Sequence, residues 1–284
     1  MLSFPHCKIN LGLRILHKRS DGYHELQTIF YPIKGLSDAL EIIRNPDHDA
    51  KEDIVFTSTG LTIAGTPEQN LCIKAYRLLK KDFPELPKIK MHLHKVIPMG
   101  AGLGGGSSDG AAALMLMNEK FQLGLSQDKL LSYALQLGSD CPFFIFNKPC
   151  YATGRGEQLS PLEFSLEAYK IVIAHPGIHV STATAFKELN RNENYTSEGE
   201  DITEIIQKPI STWKSALIND FQLPVIKAYP EIGKIINKLY EQGAIYASLS
   251  GSGSAVYGIF EKDAKPEEAV VGCGLSVVSY YNCN

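Results

Sequence analysis

Two rhythms of apolar residues run along the chain, one of period two and one of three to four, and between them they mark out its elements. Ile9, Leu11, Leu13 and Ile15 alternate with Lys8, Asn10, Gly12 and Arg14, the pattern of a half-buried strand. Arg19-Ser20-Asp21-Gly22 supplies turn chemistry, and Tyr23-His24 follow it directly. Residues 39–43 and 54–57 read as further strands. Asn70 is the N-cap of a helix running to about Lys81, with Leu71, Ala75, Leu78 and Leu79 on one face. Pro84 and Pro87 separate it from a strand in which Ile89, Met91 and Leu93 share one side. A helix over 111–118 and another from Ser126 to Gly138 come next; Gly138 is expected to accept a left-handed conformation. A short apolar strand is expected over 143–146.

Beyond Pro161 the order changes to strand (169–174), helix (181–187), a polar stretch at 190–200, and helices at 212–217 and from Pro230. Strands at 244–249 and 255–260 flank Ser250-Gly251-Ser252-Gly253, and a short helix and a strand over 275–281 complete the chain. That succession fits an α+β sandwich with ferredoxin-like topology. Two α+β halves are therefore expected, 1–160 and 161–284.

Charge narrows the partners. With 28 basic and 31 acidic side chains in 284 residues, the net charge is -3, so no basic surface for nucleic acid or membrane is expected. Any anionic ligand must be held by a local site. The six cysteines form no CxxC pair, as expected of reduced structural thiols in a cytoplasmic protein. Lys8 and Arg14 interrupt the apolar N-terminal stretch, which does not read as a signal peptide, and no run approaches the ~18 apolar residues of a membrane span.

Five glycines occupy the seven positions Gly100 to Gly106, followed by Ser107-Ser108 at the start of a helix. Glycine costs about 0.5–1 kcal/mol relative to Ala in regular structure, so such a run is kept where backbone bends sharply or approaches a ligand. Unpaired N–H groups and the positive end of a helix dipole make that spot a phosphate cradle, and the serine hydroxyls add donors for phosphate or for a magnesium ion on it. Gly100-Ala101-Gly102-Leu103-Gly104-Gly105 matches GxGxxG literally, but helix follows helix where a dinucleotide fold needs a strand. A Walker A loop needs a lysine after its glycines, and none is present.

Pro98-Met99-Gly100-Ala101-Gly102-Leu103-Gly104-Gly105-Gly106-Ser107-Ser108 resembles the second motif of the GHMP kinases, P-x-x-x-G-L-G-S/G-S-S. Pro5-His6-Cys7-Lys8-Ile9-Asn10-Leu11 and Leu249-Ser250-Gly251-Ser252-Gly253 resemble the family's first and third motifs, in the right order. The resemblance implies a two-domain GHMP kinase fold, with an N-terminal domain like domain 2 of ribosomal protein S5 and a ferredoxin-like C-terminal domain. It implies ATP, with Mg2+, as the phosphoryl donor and a small-molecule alcohol as acceptor. ATP would be held by Lys95, Pro98, Gly100, Gly102, Leu103, Gly104, Gly105, Gly106, Ser107 and Ser108; no metal ligand is identified.

Leu137-Gly138-Ser139-Asp140-Cys141-Pro142-Phe143-Phe144 is similar to L-G-A-D-V-P-F-F, whose aspartate is the general base, so the resemblance makes Asp140 the base and Lys8 the catalytic lysine. Arg19 to Thr28 is similar to R-x-D-G-Y-H-x-L-x-T, which marks the branch whose substrate carries a cytidine diphosphate. There Tyr23 and Phe186 would sandwich cytosine and His24 would hydrogen-bond its edge, with Asn10, Gly251 and Ser252 also on the substrate. Gly110 stands where the family usually has Ala. Homoserine or mevalonate kinases, which should lack the Asp21-Gly22-Tyr23-His24 segment, and a non-catalytic nucleotide-binding regulator are the rival readings.

Overall fold

Alternation and capping predict most elements that the chain forms. The computed structural model describes residues 1–47, 49, 51–181, 185, 186, 189 and 200–266, and the backbone of 276–281. Its strands are β1 (Leu2–Ser3), β2 (His6–Lys18), β3 (His24–Ser37), β4 (Ala39–Arg44), β5 (Ile54–Gly60), β6 (Ile89–Lys95), β7 (Cys150–Thr153), β8 (Gln158–Pro161), β9 (Tyr169–His175), β10 (Tyr246–Leu249), β11 (Val256–Glu261) and β12 (Ser276–Tyr281). The α-helices are α1 (Leu71–Asp82), α2 (Gly105–Lys120), α3 (Gln127–Leu137), α4 (Cys141–Phe146), α5 (Ile202–Ile205), α6 (Trp213–Ala216), α7 (Gln222–Ala228) and α8 (Pro230–Glu241). Two compact units arise. One is Met1–Cys7, Leu36–Met99 and Gly104–Asn147; the other is Lys8–Gly35, Gly100–Leu103 and Lys148–Asn284. Each is assembled from three stretches, where the sequence alone suggests two consecutive halves.

The first unit has a sheet ordered β1-β4-β6-β5. β5 and β6 are parallel, Ile54 opposite Ile89 through Gly60 opposite Lys95, and α1 lies in the crossover that parallel pairing requires. Asn70 caps α1 as expected, its Oδ1 accepting from Cys72 N–H at 2.9 Å. Ile89, Met91, Leu93 and Lys95 all fall on the buried side of β6. The two-residue period that makes the strand thus also turns a lysine into the core.

The second unit contains the sheets β2-β3-β7-β8 and β10-β11-β9-β12. In the latter every pairing is antiparallel and β9 lies beside β11 rather than its successor β10, which is the ferredoxin-like arrangement expected. Ile232, Ile235, Ile236 and Leu239 of α8 pack with Val172, Val256 and Phe260 of the sheet, each buried side chain contributing about 1.5–3 kcal/mol.

Four expectations are corrected. Residues 143–146 form the helix α4, not a strand: Pro142 is favourable in a first helical turn, and Phe143, Phe144 and Ile145 are all buried, so no period identified the element. Gly138 is extended (φ 170°), a conformation open to any residue, and ends α3 without left-handed geometry. α2 starts at Gly105, six residues before the Ala-rich stretch that predicts it. β2 is buried on both faces from Cys7 to Ile15, so Lys8 and Asn10 are interior rather than on a solvated face. The polar stretch 190–199, most of the helix expected at 181–187 and the short helix before β12 lie outside the described residues, although Ala185 and Phe186 are helical.

Candidate active site

The glycine-rich loop ends where α2 begins. Gly104 is its N-cap in the left-handed region (φ 71°), and no side chain caps the helix. The N–H groups of its first turn have no intrahelical acceptor and stand at the positive end of a sixteen-residue dipole. Gly105 is crowded: an added Cβ would lie 2.8 Å from Ile97 Cγ2 and 3.0 Å from Lys95 Nζ. Gly106 is different. A Cβ there would meet nothing within 4 Å and its φ is ordinary, so nothing in the protein itself calls for glycine. A phosphate brought against the backbone would.

The same unit holds Asp140, at the N-cap position of α4. α4 packs against α2, and Asp140 precedes the Cys141 thiol, whose pKa the Ser107 hydroxyl in the first turn of α2 pulls down against burial. Burial pushes the Cys141 thiol up to about 12, so it stays protonated. Ser108 is buried and Ser107 half-buried.

Lys95 has other partners than the nucleotide expected for it. It is 1% exposed, and its ammonium lies 2.5 Å from Asp38 Oδ2 and 2.7 Å from Asp109 Oδ2. Burial alone would push its pKa down; Asp109 and Asp38 hold it above the ordinary value. Burial pushes Asp109 up to about 7 despite the ammonium. A lysine on a core-facing strand position must be paired, which was the available signal for the two aspartates; the sequence reading stopped short of it.

In the second unit the other two motifs converge. Lys8 donates to Asn10 Oδ1 at 2.5 Å, and its ammonium lies 4.7 Å from the centre of the Phe30 ring. Asn10 in turn donates to Thr28 Oγ1 at 3.0 Å, and the Thr28 hydroxyl donates to Gly12 O at 2.6 Å. Lys8 N–H bonds Leu103 O at 2.9 Å, while the Ser250 hydroxyl donates to Gly102 O, also at 2.9 Å. A Cβ on Gly102 would stand 1.9 Å from Ser250 O, and one on Gly251 would stand 3.2 Å from Asn10 Oδ1. Lys8, Asn10, Gly102, Leu103 and Gly251 are therefore one packed cluster, with Asn219 bridging Leu249 O and Gly251 O at 2.9 Å each. Thr28 and Ser250 lie in the quoted motifs without an assigned role, and Asn219 escaped the sequence reading, because small hydroxyls and amides carry no period. Ser252 is half-buried in the same turn, Pro98 is half-buried, and Gly100 is exposed.

The β2–β3 hairpin tip carries Tyr23 and His24. Arg19 bonds Asp21 and Glu25, and Glu25 Oε1 accepts from Gly154 N–H at 2.8 Å, which joins this tip to the β7–β8 turn. Tyr23 is 55% exposed, with the Arg155 guanidinium 4.7 Å over its ring. The ring stacked on Phe186 is that of His24, at 4.5 Å and 18°, and Phe221 meets Phe186 edge-on. Burial, then Lys18, pushes the His24 pKa down.

Comparison with known proteins bears on these motifs. Residues 70–148 match the GHMP kinases N terminal domain and 201–272 the GHMP kinases C terminal domain. A 4-diphosphocytidyl-2-C-methyl-D-erythritol kinase from Bacteroides thetaiotaomicron is 51% identical over 275 residues, covering 97% of both chains. The chain belongs to the GHMP kinases. Among solved structures, this GHMP kinase resembles the crystal structure of 4-(cytidine 5'-diphospho)-2C-methyl-D-erythritol kinase, with a TM-score of 0.81, 26% identity and full coverage of both chains. A mevalonate kinase shares the GHMP fold at a TM-score of 0.75 over 98% of each chain, with 14% identity.

Proposed function

We propose that this GHMP kinase transfers the γ-phosphoryl group of ATP to the 2-hydroxyl of 4-diphosphocytidyl-2-C-methyl-D-erythritol, a step of the non-mevalonate route to isoprenoid precursors. The observation that carries the phosphate half of this reading is Gly106, a helix-start glycine with open space over it and no structural need to be glycine. The substrate half is supported by full-length relatives of that name and by the Tyr23-His24 hairpin tip.

In this mechanism the first-turn N–H groups of α2 bind the ATP phosphates and favour their charge. Lys8 stabilises charge developing on the transferred group, with Asn10 fixing its ammonium. Asp140 accepts the proton of the 2-hydroxyl as its oxygen attacks the γ-phosphorus and the bond to the β-phosphate oxygen breaks, releasing ADP. Gly251 borders Asn10 on the acceptor side, with Ser252 in the same turn. Cytosine is taken by the Tyr23-His24 tip, where the His24 ring already stacks on Phe186 in place of the expected sandwich of the base between Tyr23 and Phe186. Among the described residues no three His, Cys, Asp or Glu side chains gather as a metal site. A magnesium ion would come with the nucleotide, and the Ser107 hydroxyl would be an oxygen ligand to it from the protein. Among the described residues no helix is long and apolar enough to cross a membrane. Cys7, Cys72, Cys141 and Cys150 are buried free thiols, which supports a cytoplasmic location.

The test is ADP release with magnesium ATP, offering the diphosphocytidyl substrate, its nucleotide-free sugar alcohol, mevalonate and homoserine side by side. Turnover of the first alone is expected. Turnover of another alcohol would discard the roles given to Tyr23, His24 and Phe186, and ATP binding without any turnover would favour a regulator.

A further inference from the structure

We propose that Asp38 and Asp109 are positioning residues for the phosphate loop, acting through the buried ammonium of Lys95 to tie the chain that enters the loop to the helix that leaves it. The inference rests on reading that loop as the ATP site. Asp38 is wholly buried, and its Oδ1 accepts from the N–H groups of both Val96 (2.5 Å) and Ile97 (2.8 Å), the last residues before Pro98. Its own N–H is fixed by Pro5 O at 2.9 Å, in the segment between β1 and β2. Its Oδ2 accepts from Lys95 Nζ, which also donates to Asp109 one turn into α2. The ammonium lies 3.0 Å from where a Gly105 Cβ would stand. One charge thus touches the loop's entry, the first residue of α2 and the turn that follows.

The composition of the cluster argues for geometry over stability. A single ammonium serves two carboxylates, and Asp109 Oδ1 is buried without a hydrogen-bond partner. Apolar residues of the same volume would hold such a site at least as firmly, and unsatisfied buried oxygens are rare where nothing requires them. What the charges add is direction: hydrogen bonds of fixed length to backbone N–H groups and to a helical side chain. A misplacement of about 1 Å can cost on the order of a hundredfold in a positioned site, so the setting of the first-turn N–H groups matters. Lys95 accordingly acts under the loop, and its expected role as an ATP contact is replaced by this one.

The test compares the wild type with Asp109→Asn, which keeps the shape, and with Lys95→Met/Asp109→Leu, which removes the bridge while Asp38 keeps its two backbone bonds. Folding is followed by thermal melting, and KM is measured for MgATP and for the alcohol, with Kd for MgATP. The expected result is a rise of about tenfold in both MgATP constants for the double variant, and a smaller rise for Asp109→Asn, with the alcohol KM within about twofold. A lowered melting temperature with unchanged ATP constants would overturn the proposal, as would an equal rise in both KM values or failure of both variants to fold. A wild type that turns over substrate and binds MgATP while the variants do not differ from it sinks this inference alone. A wild type that binds no ATP sinks the reading of the loop, and the inference with it.

Discussion

Gly105 and Gly106 are adjacent and chemically identical, yet they are glycine for opposite reasons. A side chain on Gly105 would press on Ile97 and the Lys95 ammonium, whereas one on Gly106 would enter open space. Gly106→Ala should therefore leave the melting temperature unchanged or raise it, since Ala is favoured in a helix by up to about 1 kcal/mol. The same substitution should raise the KM for MgATP by about tenfold, because the methyl occupies the ground of the phosphate. A variant with unaltered ATP constants would end the argument from Gly106. His24 offers a second residue-scale test. Its pKa lies below the ordinary value, so the folded protein binds its proton less readily than the unfolded chain does. Its contribution to stability is complete above about pH 6.5 and shrinks as the pH falls toward the folded pKa. Proton NMR should place its titration midpoint below the ordinary histidine value, and Phe186→Ala should move it upward by removing the ring stacked on it. A midpoint that does not respond would assign the shift to other neighbours.

At the scale of elements, α2 sets the same substitution against a different neighbour. Gly110 is not a loose spot in the helix: an added Cβ would lie 2.8 Å from Leu71 Cβ of α1. Gly110→Ala should cost about 1–3 kcal/mol through overpacking, outweighing the propensity gain, and a urea melt would measure it. If the variant is as stable as the parent, α1 yields more readily than its contacts suggest. The elements that sequence reading found are those with a cap or a face, such as α1 behind Asn70 and α8 with its four aliphatic residues. Those it missed or misread have neither. β3 is buried continuously from Thr28 to Ile33 and carries Pro32, so alternation disappears and the proline argues against a strand. α4 is an apolar run of six residues, too short for a helical period. α7 has Pro224 in its first turn and one buried residue, Val225.

For the whole molecule, the fold and the substrate are fixed by different parts of the chain. A mevalonate kinase keeps the architecture at 14% identity, so the architecture says nothing of which alcohol is used. The three glycine- and lysine-bearing motifs were legible because glycine and charge are conspicuous in a sequence. Their partners Thr28, Asn219, Asp38 and Asp109 were not, since each acts through a contact that only folding creates. The proposed chemistry gives Lys8 and Asp140 separate tasks, one on the charge of the transferred group and one on the proton of the alcohol. Binding and chemistry should then separate on mutation. Asp140→Asn keeps the shape at the α4 start but takes no proton, so kcat should fall by about 10²–10⁴ while the Kd for MgATP changes little. Lys8→Ala should lower kcat comparably, and it should also release Asn10, whose Oδ1 takes the Lys8 bond, so the acceptor KM should rise as well. Single-turnover rates with titrated MgATP measure both. Native turnover in either variant would remove that residue from the mechanism, whereas loss of ATP binding in Asp140→Asn would turn its carboxylate from a base into part of the nucleotide site.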